Sequence, residues 1–435
     1  PDIGLLPPDG SVLVDLTVND SDPMGGVLVV QSIQVPDDSG LSVQLIDHHL
    51  ARIAAPSGLD SQITFSYTVS NGHGDATADV VVIPLPVQST DQPPTAVDDA
   101  ATVRAGDVTT VDVLANDISP AQLSLEVAPD LSVSPKQDTG VAFVSDNKVR
   151  FRAGPDSGTV RITYTIRDTV GGFSSATVVI TVVSKDDPND SPSPNPLNAR
   201  TFAGTAVRIA IPTVGVDPDG DSVVISGLDM PAATMGPVTI GEGFIEYTPN
   251  AEASGTDVFG YTVMDRFGAV GTGLVYVGVS PLPAVNQSPF AQADIVNARP
   301  ERKLAVPVTV NDFDPDGDQV QIVADSVQPV DGTPASDLSV EDNRIELTTP
   351  ALGESTTLRY YYDVSDGRGG SGRGLLTINV SPEAPLLYPV ARDDAVAVAQ
   401  TFDQDSVVVD VLANDEDPDG ASADLRLASS DPGVS

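Results

Sequence analysis

The sequence has no cysteine and no tryptophan, four methionines and three histidines, and it is poor in basic residues. Without cysteine there is no disulfide framework, no thiol nucleophile and no thiolate metal site, and the redox compartment leaves no trace in cysteine spacing. The histidines, His48, His49 and His73, sit close together in the first 84 residues. Neighbouring strand residues point to opposite faces, so His48 and His49 are read as structural rather than as a zinc pair or part of a catalytic triad. Lys and Arg number 21 against 62 Asp and Glu, a net charge of −41 that repels phosphate backbones and anionic lipid. That balance excludes nucleic acid as a partner. No apolar run approaches the roughly 20 residues that cross a bilayer, so no membrane insertion is expected in this segment. The chain starts at Pro1 with no charged and apolar leader, and any signal peptide or anchor is expected to lie outside this fragment or to have been removed. Lysine occurs at only four positions, 136, 148, 185 and 303, too few for Lys–Asn isopeptide crosslinks in every part of the chain.

What the sequence does contain is a repeat. A Tyr-x-(Val/Ile)-x-(Asp/Asn) unit followed by a glycine-containing turn recurs at Tyr67, Tyr164, Tyr261 and Tyr362, with spacings of 97, 97 and 101 residues. A second landmark, an Asn-Asp pair, recurs at Asn19-Asp20, Asn116-Asp117, Asn311-Asp312 and Asn414-Asp415, with Val214-Gly215 in the corresponding place of the third unit. Between units lie segments crowded with Pro, Ser, Asn and Asp: 84–94, 185–196, 281–289 and 381–389. Proline lacks the amide donor and restricts its predecessor, so these read as short, semi-stiff linkers. The division is therefore five units, at 1–84, 94–184, 195–280, 288–381 and 388–435. The first is expected to be truncated at its start and the last to be partial. Short polar linkers and a strong like charge predict an extended array.

Within each unit the pattern is that of strands. Leu358, Tyr360, Tyr362 and Val364 alternate with polar or smaller residues, as do Leu376, Ile378 and Val380, across the glycine-rich turn 366–370. Equivalent hairpins read at 65–83, 162–182 and 259–279, and further strands at 303–310 and 319–324. No window carries a sustained 3.6-residue apolar stripe. The fold class is all-β: a tandem array of antiparallel Ig-like or cadherin-like β-sandwich domains of about seven strands each. The four repeat tyrosines are read as core anchors.

The segments Pro389-Val-Ala-Arg-Asp-Asp-Ala395 and Val409-Asp-Val-Leu-Ala-Asn-Asp-Glu-Asp-Pro-Asp-Gly420, with 94–100 and 111–117, resemble the tandem cadherin-like or immunoglobulin-like repeats, about 95 residues each, of very large bacterial surface adhesins. The resemblance covers essentially the whole chain. It implies a secreted or surface-displayed stalk, often stabilised by calcium, that carries adhesive domains elsewhere.

One constellation is suited to chemistry. Asp312, Asp314 and Asp316, followed by Gly317 and Asp318, reproduce the first half of an EF-hand loop, in which alternating carboxylates surround one Ca²⁺. The second half departs from it, because Val323 stands where the bidentate Glu belongs and no helix flanks the loop. Alternating oxygen ligands on a loop between strands still suit a hard cation, with Asp366, Asp294 and the linker pairs Asp98-Asp99 and Asp393-Asp394 as candidates to complete the set. The motif recurs as Asp217, Asp219 and Asp221 in the third unit and as Asp415, Asp417 and Asp419 in the fifth. It thins to Asp20 and Asp22 in the first and to Asp117 alone in the second. A wet string of carboxylates repeated along a chain differs from a single site with an acid of raised pKa, so the chain is read as no enzyme. The function expected is a structural stalk segment of an adhesin, with Ca²⁺ as its cofactor and neighbouring repeats as its partners. The alternative is a binding array that meets a surface protein or glycan through hairpin tips such as Asp366-Gly-Arg368.

Overall fold

The computed structural model describes residues 1–384 except 8–9, 37, 56–57, 87–91, 121–122, 136–138, 242, 331–336 and 352–354, and then 389, 391, 394, 406–415, 417, 420 and 424–427. The described residues hold no α-helix, only two single 3₁₀ turns at Val113–Ala115 and Ala324–Ser326. Everything else regular is strand, in four two-sheet sandwiches.

The first unit shows the plan. One sheet runs Asp2–Leu6, Asp75–Pro84, Ile63–Ser70, Val29–Gln34 from edge to edge, and the other runs Ser11–Asp15, Leu50–Ala54, Ser42–Ile46. The first strand lies parallel to the last, Asp2 opposite Val80, while the hairpin that follows the repeat tyrosine is antiparallel. The third unit repeats this arrangement, with Leu197–Phe202, Val270–Ser280, Gly255–Asp265 and Val223–Asp229 against a three-stranded sheet. In these two units the strand opposite the hairpin carries a bulge, between Val30 and Ser32 and between Ile225 and Gly227. In the second and fourth units it is broken into two short strands, Leu125–Val127 with Ser132–Ser134 and Gln321–Ile322 with Gln328–Pro329.

The core sits between the sheets and is built by the alternation read in the sequence. Leu358, Tyr360, Tyr362, Val364, Leu376, Ile378 and Val380 are all buried, and each unit encloses its own apolar cluster around its repeat tyrosine. Each such aliphatic or aromatic side chain removed from water contributes about 1.5–3 kcal/mol. The strands expected at 303–310 and 319–324 are shorter. Lys303–Val306 ends before Pro307, which has no amide to donate, and the Val308 amide turns back onto the Val306 carbonyl at 3.0 Å. Gln321–Ile322 gives way at once to the 3₁₀ turn.

Two further expectations are corrected. His48 and His49 are not strand residues: Asp47 and His48 occupy the left-handed region in the turn after Ser42–Ile46, with His48 buried and His49 half-buried. The units are also not strung out in single file. The first packs against the third, where Arg200 Nε donates to the Leu28 carbonyl at 2.7 Å, Gln31 Nε2 to Ser280 Oγ at 2.7 Å, and the His48 ring meets Phe202 edge-on at 4.5 Å. These contacts are mostly polar, so like net charge does not forbid them, and the intervening second unit with its two linkers lets the chain double back.

Candidate metal centre

The acidic loop of the fourth unit lies between Lys303–Val306 and Gln321–Ile322, beside the hairpin turn at 366–370 and beneath the linker 281–289. Asp314 organises it. Its Oδ1 accepts the amides of Asp316 at 2.8 Å and Asp318 at 3.5 Å, and its carbonyl accepts the amide of Gly317 at 3.0 Å. Gly317 has φ of +79°, which L side chains rarely adopt, so the Gly of Asp-Pro-Asp-Gly is what allows the loop to curl. Carboxylate oxygens of Asp314, Asp316 and Asp318 lie within 4.8 Å of one another.

The linker closes this cluster. Gln287 donates its backbone amide to Asp316 Oδ2 at 2.6 Å and its side chain to Oδ1 at 2.9 Å. Asn286 Nδ2 donates to Asp366 Oδ2 at 2.5 Å, while Asp366 Oδ1 accepts the amides of Arg368 and Gly370 at 2.7 and 2.9 Å. Arg368 turns inward from the hairpin tip, giving Nη1 to Asp318 at 2.6 Å and Nη2 to the Pro283 carbonyl at 3.0 Å. A tip residue considered for recognition is thus engaged within its own junction.

Charge and satisfaction bear on what this pocket would hold. Burial, reinforced by the charges of Asp318 and Asp316, pushes the Asp314 carboxyl up to about 7. Burial likewise raises Asp318, against the pull of Arg368. For Asp366 burial works the same way, but the Asn286 amide and the amides of the turn outweigh it and hold that carboxyl low. Two buried oxygens, Asp314 Oδ2 and Asn286 Oδ1, meet no hydrogen-bond donor. Four carboxylates and one amide oxygen, with one carboxylate oxygen and that amide oxygen left without a donor, form an all-oxygen donor set that fits a hard divalent cation such as Ca²⁺.

The third unit is built alike. Asp217 Oδ1 accepts the amides of Asp219 at 2.9 Å and Asp221 at 3.2 Å, and Gly220 has φ of +74°. Asn189 Nδ2 in the linker donates to Asp265 at 2.7 Å, and the Asp190 amide to Asp219 at 2.6 Å. Asp217 Oδ2 and Asp221 Oδ1 are buried without a donor, and burial raises both carboxyls. The difference lies in the arginine. Arg104 comes from the second unit, fully buried, and pairs with Asp221 at 2.7 Å and Asp219 at 2.9 Å.

Asp312 lies elsewhere. It belongs with Asp294 and Tyr362, whose hydroxyl reaches Asp294 Oδ2 at 2.9 Å and both Asp312 oxygens at 3.3 Å. Burial lifts Asp294 to about 6, and burial with the charge of Asp294 lifts Asp312 to about 7. The same trio recurs as Tyr67 with Asp2 and Asp20, and as Tyr164 with Asp99 and Asp117. In the third unit Leu197 and Gly215 replace both acids together, and Tyr261 reaches only the Asn195 carbonyl at 3.3 Å. In the first unit Asn71 stands where Asp366 does and donates to Asp22 at 3.0 Å, so an amide fills the place of a carboxylate. In the fifth, Asp415 and Asp417 are half-buried, with Asp417 4.0 Å from Arg302, and Asp419 lies outside the described residues, as does Asp393. Asn189, Asn286 and Arg104 carried no signal in the sequence beyond the 97-residue spacing of the two asparagines.

The geometry defines a class: tandem Ig-like sandwiches with an acidic, linker-closed pocket at two of the junctions. The chain belongs to the bacterial Ig domain family, Big_9, whose model matches residues 2–83, 91–181, 189–278 and 286–379. This is a family of Ig domains and not of enzymes. No curated protein sequence matches the chain. Among solved structures it is similar to the insect immune protein hemolin, at 12% identity over 88% of this chain and 98% of that one, with a TM-score of 0.27. It is also similar to the human desmocollin-1 ectodomain, at 12% identity over 87% and 80%, with a TM-score of 0.20. An endo-fucoidan hydrolase of glycoside hydrolase family 107 matches at 16% identity over 64% of this chain, which spans 43% of that protein, with a TM-score of 0.21.

Proposed function

We propose that the chain is a stalk segment of a bacterial surface adhesin, displayed outside the cell, in which Ca²⁺ at repeat junctions fixes the angle between neighbours. The observation that carries this reading is that linker asparagines are tied to the unit they lead into, beside its acidic loop: Asn286 donates to the hairpin aspartate Asp366 of the fourth unit and Asn189 to Asp265 of the third. A cation held by Asp314, Asp316, Asp318, Asp366 and Asn286 would supply positive charge to a pocket rich in carboxylates. It would join the linker to the unit body, so that loading and junction stiffness rise together. Asp217, Asp219, Asp221, Asp265 and Asn189 form the second such set, and Asp415, Asp417 and Asp419 mark a third in residues 388–435, which we read as a further repeat.

The test is small-angle scattering of the whole chain in calcium and in chelator, beside calorimetry of the same samples. Calcium should narrow the distance distribution and raise at least one unfolding transition. Identical scattering and melting in both buffers would reduce the acidic loops to turns.

A further inference from the structure

Two positions trade residues between the second–third and the third–fourth junctions. The first position ends the opening strand of the preceding unit: Arg104 stands opposite Val183 in the parallel pair of the second unit, and Phe202 opposite Ser280 in the same register of the third. The second is the hairpin tip of the following unit, two residues past its aspartate. There the Phe267 amide donates to Asp265 Oδ1 at 2.8 Å, as the Arg368 amide does to Asp366 Oδ1 at 2.7 Å. The two linkers match in length, since Asn189 stands six residues after Val183 and Asn286 six after Ser280. Arginine then phenylalanine at one junction becomes phenylalanine then arginine at the next.

Either arrangement delivers one guanidinium to the acidic loop. Arg104 pairs with Asp221 and Asp219, and its Nη1 also reaches the linker carbonyls of Ser184 at 2.9 Å and Asp187 at 3.2 Å. Arg368 comes from the opposite side and meets Asp318, the counterpart of Asp221, together with the linker carbonyl of Pro283. The phenylalanine takes the place the arginine leaves. Phe267 lies beneath the Arg104 guanidinium at 5.1 Å, and Phe202 is buried against His48. Arg266, next to Phe267, turns back to Asp107 of the second unit at 3.6 Å. The surfaces are close-fitting: the Arg104 amide donates to the Gly220 carbonyl at 3.4 Å, and a side chain at Gly220 would collide with the Thr102 carbonyl. At the first–second junction Pro7 stands in the place of Arg104 and Val170 in that of Phe267, and the loop beyond keeps Asp117 alone. Where the acids are missing, so are both arginines. Ahead of the acidic loop in residues 388–435, arginine returns at the first position as Arg299, whose Nε donates to the Ala384 carbonyl at 2.7 Å.

We infer that these two positions form a mating surface that sorts neighbouring repeats. A unit whose opening strand ends in arginine takes as its successor an Ig-like unit with an Asp-x-Asp-x-Asp loop and an apolar residue at the tip position, and a unit ending in phenylalanine takes one whose tip brings arginine. Arginine at both positions would set like charges against each other in a confined space, and arginine at neither would leave buried carboxylates without a counter-charge. A mismatch is rejected from either direction, so the order of repeats is written into their ends. The inference rests on the arginine–carboxylate pairs and not on calcium, and its test runs in chelator.

Variants of the whole chain are exposed to a protease of broad specificity, and cleavage within 185–196 is timed. Arg104→Phe should speed it by roughly tenfold or more, because breaking a buried pair raises the population of the open junction. Adding Phe267→Arg, which rebuilds here the arrangement of the next junction, should return the rate to within about threefold of wild type, a departure from additivity that only coupled residues show. Phe267→Arg alone should speed cleavage severalfold, since two guanidinium groups then meet. Arg104→Phe with Val170→Arg, which puts the arginine on the tip at the first–second junction, should be cut as fast as Arg104→Phe. Circular dichroism verifies the fold of each variant. If Arg104→Phe alone does not fold, recovery of a folded chain on adding Phe267→Arg supports the assignment and failure to recover overturns it. No effect of Arg104→Phe, no rescue by Phe267→Arg, or equal rescue by Val170→Arg would each overturn it as well.

Discussion

Asn286 donates its side-chain amide to Asp366 at 2.5 Å while its own oxygen, buried, meets no donor. A linker residue therefore ties itself to the unit ahead and leaves a buried acceptor without a donor. Replacing it by leucine keeps the volume and removes both functions. We expect Asn286→Leu to weaken calcium binding at the fourth unit by roughly 10–100-fold, the scale seen when groups supporting a metal site are lost. Isothermal titration of the whole chain checks this, with Asn189→Leu as the parallel case for the third unit.

Calcium at 100 times its dissociation constant should add about 2.7 kcal/mol to a unit that binds only when folded. In a unit of this size that raises the melting temperature by roughly 10–20 °C. The gain should vanish from one calorimetric transition in Asp314→Asn with Asp316→Asn, and from another in Asp217→Asn with Asp219→Asn. The transition of the second unit, where Ser119 stands in the place of Asp314, should not move in any of them.

Without calcium the fourth unit should be more stable in mild acid. Asp294 and Asp312 hold their protons up to about 6 and about 7 in the folded chain, mainly because burial disfavours their charge. In the unfolded chain they release them near 4. The folded state thus binds more protons across that window, and stability falls as pH rises from about 4 to about 7. In chelator the melting temperature of this unit should drop by several degrees between pH 5 and pH 8, and Asp312→Asn should flatten the slope. A fourth-unit transition that climbs over this range would contradict the assignment.

Tyr362→Phe removes a hydroxyl shared by the buried Asp312 and the half-buried Asp294 and should cost roughly 1–3 kcal/mol. Tyr261→Phe should cost less, since that hydroxyl reaches one carbonyl at 3.3 Å. Denaturant unfolding of the two variants gives the comparison.

Arg104→Gln leaves Asp221 and Asp219 facing each other without their cation. We expect a loss of roughly 3 kcal/mol at the junction of the second and third units, the lower end for a buried pair because Asp219 keeps some contact with water. The same substitution removes a fixed positive charge from the pocket, so calcium should bind the third unit more tightly. Limited proteolysis at 185–196 with and without calcium reads both effects.

Much of the fold was legible because the repeat is marked twice, and the two marks touch. Tyr362 and Asp312, found as separate landmarks, share a hydrogen bond, which explains why Gly215 and Leu197 change together in the third unit. Period-two burial gave the hairpins and the core residues. The division of the acidic loop was hidden, because spacing alone groups Asp312 with Asp314. The Phe313 bridge to Phe290 instead brings Asp312 to the Gln292 amide and the tyrosine. The linker asparagines were obscured by a composition in which Asn and Asp are everywhere. Arg104 lies 117 residues from Asp221, beyond the reach of any local pattern. The doubling back of the first unit rests on side-chain amides and carbonyls that no periodicity records.

The parallel pairing of first and last strands has a mechanical consequence. Because Asp2–Leu6 runs alongside Val80–Pro84 in the same direction, as Ala293–Ala298 does beside Leu375–Val380, the chain enters each sandwich at one end and leaves at the other. Tension applied through the linkers then loads these strands in shear, with the rungs of the ladder strained together instead of peeled one by one. Each sandwich would resist a steady pull up to a threshold, and the contacts between units would yield first.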